Sequence, residues 1–111
     1  MGCVGRNPLT LAAAERPEAD AEYRQAGRWY ESRRTGLGIE FFNAVDAAIR
    51  QIVDFPGVGA VVPRVSGDLP VRRLAVARFP YHVVYLETSE VLRILAVAHD
   101  RRRPGYWKSR L

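Results

Sequence analysis

Ten residues close to the C-terminus hold most of the side chains suited to chemistry: His99-Asp100-Arg101-Arg102-Arg103-Pro104-Gly105-Tyr106-Trp107-Lys108. Four cations and two large aromatics in a row add little to the stability of a small domain. Three adjacent arginines repel one another, by roughly a few tenths of a kcal/mol per pair if like-charge pairs on helices are the guide. An anionic partner offsets that cost. The segment therefore predicts a partner carrying negative charge, flat rings, or both.

Each of these side chains also has a purely structural use. His99, at a strand end, could hydrogen-bond the backbone and cover Tyr106 and Trp107. His82, between Tyr81 and Val83, reads as an ordinary sheet-face histidine. Trp107 is suited to anchoring the tail on the body. Arg72, Arg73 and Arg93 fall at solvent-facing strand positions. Arg78, just before the Phe79-Pro80 break, is placed to pair with a carboxylate of the first helix.

The charge distribution supports the view of a basic C-terminal half. Residues 1–63 hold seven Arg against eight carboxylates, whereas residues 64–111 hold ten Lys or Arg against four. The net charge of +5 therefore comes from the C-terminal half, and such a patch concentrates anionic partners, nucleic acid or acidic protein alike. With 111 residues the chain is long enough for one modest core. The single Cys3 excludes an internal disulfide, and no spacing suits a metal site, so neither a metal nor another cofactor is expected. No apolar run approaches the roughly 20 residues needed to span a bilayer. A cytoplasmic protein with no membrane association is the expectation.

The elements that must position the basic segment follow from periodicity and breakers. Leu9-Thr10-Leu11 suits a short strand, and residues 1–7 are expected to be loose ahead of a single domain over 8–111. Pro17 fits a first helical turn, with Glu18 and Asp20 at its positive end. Ala19, Tyr23, Ala26 and Trp29-Tyr30 then recur on one face, predicting a helix to about Arg34. Thr35-Gly36 turns the chain. A second helix from Leu37 carries Phe41, Val45, Ala48-Ile49 and Ile52-Val53, and stops before Pro56.

Residues 57–70 read as irregular, with a short edge strand near Val61-Val62. Three strands follow at Val71–Ala77, Tyr81–Leu86 and Val91–Ala98, joined tightly enough for an antiparallel meander. The sum is an α+β domain of order β-α-α-β-β-β: a helical hairpin on one face of a small twisted sheet. The opposite face is left for water or a partner.

Several of these segments, in this order, resemble the RelE/ParE toxins of bacterial type II toxin–antitoxin systems. Residues 17–22 look like the family's first helix. Trp29-Tyr30-Glu31 with residues 36–41 looks like its helical hairpin. Residues 78–85, then Ala96-Val97-Ala98-His99 with Arg101-Arg102 and Pro104-Gly105-Tyr106-Trp107, look like its strand core and tail. The resemblance implies a toxin neutralised by a cognate antitoxin. It implies one of two targets, DNA gyrase for ParE-like members or messenger RNA on the ribosome for RelE-like ones, and no small-molecule substrate.

If the chain is a metal-independent endoribonuclease, the resemblance makes His99, Tyr106 and Arg101 the catalytic candidates. Tyr106 matches the tail tyrosine, His99 stands where ribonuclease members carry a Lys, and His82 where they carry a strand Arg. Asp100 stands about where they carry another Arg, which Arg101 replaces after a one-residue shift. These departures favour the ParE-like reading. Arg78, Tyr81, His82, Arg102, Arg103, Trp107 and Lys108 are then the candidates for contacting target or antitoxin. A third possibility is a toxin fold that only binds its antitoxin and operator DNA complex.

Overall fold

The structure is a computed structural model that describes residues 17–63, 70–88 and 91–111. The strand expected at Leu9–Leu11 lies outside these residues. Helix α1 spans Pro17–Arg33 and α2 spans Leu37–Asp54, each within one or two residues of its expected bounds. Between them Gly36 takes φ 90°, a left-handed conformation that glycine adopts without a side-chain clash. The Glu31 carboxylate accepts from the Gly36 N–H at 3.0 Å and the Gly38 N–H at 3.0 Å. A side chain from the end of α1 thus satisfies free N–H groups at the start of α2. The helices also close tightly, because a Cβ at Gly27 would run into the Phe42 ring.

Trp29 departs from expectation. The contact face of α1 runs through Ala19, Ala26 and Gly27, with Tyr30 packed against the core. Trp29, one residue off that stripe, is 52% exposed.

The sheet has four antiparallel strands in the order β1 (Ala60–Val61), β2 (Val71–Ala75), β3 (Tyr81–Glu87) and β4 (Leu92–His99). The meander and the short edge strand are as expected. Strand β2 ends two residues early because the chain turns at Arg78, whose φ is 72°. The Val76 N–H closes that turn onto the Tyr81 carbonyl at 2.9 Å.

A register shift at Val84/Tyr85 puts Ala96 opposite Val84 and Ile94 opposite Tyr85, leaving Leu95 as the extra residue of a β-bulge. The bulge lets Leu95 and Ala96 face the same way, so β4 feeds both sides of the sheet. Val83, Tyr85, Ile94 and Val97 pack under the helices with Phe41, Val45, Ile49 and Ile52. Val71, Val84, Leu86, Leu95, Ala96 and Ala98 form a second cluster on the other side.

That second side corrects the expectation of an open sheet face. Gly105, at φ 78°, turns the chain back beneath the strands, and a short 3-10 helix, Tyr106–Arg110, lays Trp107 on the second cluster. The indole is 3% exposed, so the tail itself is the cover. Fully burying a side chain of this size stabilises by about 3 kcal/mol or somewhat less.

Candidate functional site

One carboxylate organises the tail. Glu22 of α1 accepts from the Tyr106 hydroxyl at 2.6 Å and from both terminal nitrogens of Arg110 at 3.0 Å. Its Oε1 also accepts the Val97 N–H at 3.0 Å, while Arg110 donates to the Leu95 carbonyl at 2.9 Å. Two backbone groups of the β4 edge are thereby capped by side chains. The Arg110 and Glu22 side chains are only 12% and 16% exposed, so little water competes for these bonds. Burial first, and then the Glu22 hydrogen bond, push the Tyr106 phenol above the usual tyrosine range. The Tyr106 oxygen is held as a neutral donor within a structural network.

The two histidines stand on opposite sides of the sheet. In the β3–β4 register Tyr81 pairs with His99 and His82 with Ala98. Side chains alternate along a strand, so His99 shares a face with Tyr81 and Val97, and its ring meets Tyr81 edge-on at 5.0 Å. His82 shares the other face with Val84 and Ala98. Their hydrogen bonds differ as much as their positions. The Arg101 N–H donates to His99 Nδ1 at 3.0 Å, so the neutral ring carries its proton on Nε2 and offers a donor there. His82 Nδ1 meets Asp100 Oδ1 at 2.9 Å. An ionised carboxylate only accepts, so a neutral His82 ring carries its proton on Nδ1 and leaves the lone pair at Nε2.

A cavity of about 90 Å³ lies between the tail and the sheet, lined by His82, Asp100, Arg73, Arg102, Arg103 and Trp107 among others. On the α1 side an open groove of about 290 Å³ runs past Gln25, Ala26, Trp29, Tyr81, Val97 and Arg102. His99, Arg102 and Tyr106 border both, and the Arg102 guanidinium lies 3.8 Å from the Tyr106 ring centroid.

The remaining candidates are dispersed. Arg101, Arg103 and Lys108 are exposed on the tail. Arg78 pairs with Glu40 of α2 at 3.1 Å, not with a carboxylate of the first helix, because the β2–β3 turn reaches the end of the hairpin where α2 begins. Arg72 is half-buried and donates to the Gly59 carbonyl at 2.8 Å, so it is a brace and not part of a solvated face. His99 bonds the backbone as expected, but the ring it meets is Tyr81.

Sequence reasoning missed Glu22 and Arg110, which hold Tyr106, and Arg73, which lines the cavity. Nothing local marks Glu22 and Arg110, since they meet across 88 residues of sequence. Among the described residues no cluster of three or more ligating side chains is arranged to hold a metal ion, and no helix is long and apolar enough to cross a membrane.

A helical hairpin over one face of a four-stranded antiparallel sheet, with a C-terminal tail folded over the other, defines a small α+β class of domain. Its backbone is similar to that of a solved chain described as "Chromosomal ParDE TA system from P. aeruginosa", with a TM-score of 0.53 and 20% sequence identity over 78% of this chain and 91% of that one. The ParE/RelE-type fold expected from the sequence is the fold observed. In sequence, no protein-family model and no curated protein matches the chain.

Proposed function

We propose that the protein is the toxin of a type II toxin–antitoxin system, neutralised by a cognate antitoxin, and that it arrests growth by binding a cellular protein, DNA gyrase, without chemistry. The fold shared with a chain of a ParDE system supports the toxin half of this reading. The observation that carries the binding half is the state of the tail. The Tyr106 hydroxyl donates a hydrogen bond to Glu22, and His99 Nδ1 accepts a backbone N–H. A neutral phenol is a poor base and the Nδ1 lone pair of His99 is engaged, so neither is set to deprotonate a ribose hydroxyl. What the tail offers an incoming partner is cations and N–H donors.

One observation favours a second reading, a ribosome-dependent endoribonuclease. His82, oriented by Asp100, has a lone pair at Nε2 and borders a cavity that Arg73 and Arg103 also line. In that case His82 is the base and the arginines steady the phosphate.

Expression of the chain alone in bacteria is expected to stop growth, and co-expression of an antitoxin is expected to restore it. Unimpaired growth with soluble, full-length protein refutes both readings and leaves a fold that only binds an antitoxin. Growth arrest that persists in His82→Ala and Tyr106→Phe variants supports binding over cleavage.

A further inference from the structure

We propose that the groove between α1 and the end of β4 captures an acidic peptide segment of a protein partner, an apolar side chain entering beside Trp29 and carboxylates closing on Arg33 and Arg102. Arg102 lines the groove, Arg33 stands beside it, and each lies over a ring that lines it. Arg33 sits 4.6 Å from the Trp29 centroid and Arg102 sits 3.8 Å from that of Tyr106. A stacked guanidinium keeps its N–H edge free and loses side-chain freedom before any ligand arrives, which suits two-pronged capture of a carboxylate. Neither arginine has a carboxylate partner among the described residues; the ion pairs there use Arg24, Arg34, Arg78, His82 and Arg110.

Among the described residues the single acid lining the groove, Glu22, is already committed to Arg110, Tyr106 and the Val97 N–H. The groove therefore presents Arg102 without a carboxylate of its own, above an apolar floor of Ala26 and Val97. Trp29, 52% exposed, supplies the apolar contact that an aliphatic side chain would cover. Single-stranded nucleic acid fits less well. It binds by stacking bases on open ring faces, and here Arg33 lies over Trp29 while Arg102 and Arg110 both lie over Tyr106.

The test uses the full chain and a short fluorescein-labelled peptide of alternating Glu and Leu. Trp107 is buried, so a blue shift in emission on binding reports Trp29 and disappears in Trp29→Phe. The expected result is saturable binding that the Arg33→Ala/Arg102→Ala double variant weakens roughly tenfold or more, while Arg93→Ala, away from the groove, leaves it unchanged. An Arg33→Glu/Arg102→Glu variant should instead prefer a Lys-Leu peptide.

Absent binding, equal binding by the double-alanine variant, or an equal loss in Arg93→Ala overturns the proposal. So does an RNA oligonucleotide that shifts Trp29 emission where the peptide does not. Growth arrest is a separate property, so either result can be read without the other.

Discussion

The two faces of the sheet are covered by different means. Under the helices, Phe41, Val45, Ile49 and Ile52 interlock with Val83, Tyr85, Ile94 and Val97, and Tyr23, Tyr30, Phe79 and Tyr81 close the rim. Under the tail, one indole and one carboxylate-centred network do most of the holding. The first cover is redundant, so the scaffold survives small losses. The second is attached at a few points, and every residue proposed for function on the tail depends on them. A stable body with a lightly pinned basic segment suits the proposed presentation of that segment to a partner.

The largest effect should come from the redundant side. Phe41→Ala leaves a cavity beneath the hairpin and should cost about 4 kcal/mol in denaturant unfolding, with all elements lost together. Trp107→Ala should cost about 3 kcal/mol, and hydrogen exchange should rise first in the tail and only later in α1 and α2. Equal loss of protection in both covers would break the contrast. Glu22→Ala should cost about 2–3 kcal/mol, because it leaves the largely buried Arg110 without its partner. The same change should weaken any function of the tail.

Tyr106→Phe is a finer probe of the same network. With the folded-state phenol raised above its usual value, the unfolded chain loses that proton first as pH rises. Its contribution is therefore complete below about pH 10 and declines as the pH climbs beyond that. The variant should lose about 1 kcal/mol at neutral pH and show a shallower alkaline decline. Arg78→Ala, at a side chain 74% exposed, should change stability by less than about 0.5 kcal/mol.

The first cover was legible in the sequence because its signals are local. Pro17, Gly36 and Pro56 mark helix ends, and the apolar positions of α2 recur at helical spacing whatever surrounds them. The second cover was not. Leu95 gives no sign that it is a bulge, yet the bulge sets which neighbours share a face. Glu22 looks like one more acid on a helix, and Arg110 like one more cation on a basic tail. Their meeting is a property of the assembled fold.

The chemistry-bearing segment could therefore be located from sequence while its hydrogen bonds could not. His99 reads as a strand-end candidate base and His82 as a sheet-face histidine, but the partner of His82 cannot be read. Strand alternation separates them, and their partners, Asp100 for one and the Arg101 N–H for the other, give them opposite tautomers.

The most direct measurement is the supercoiling activity of purified DNA gyrase with the purified protein added, read alongside primer extension on messages from translating ribosomes. A target-binding toxin predicts loss of supercoiling at near-stoichiometric protein, with the messages intact. Full supercoiling activity together with cleaved messages would contradict it.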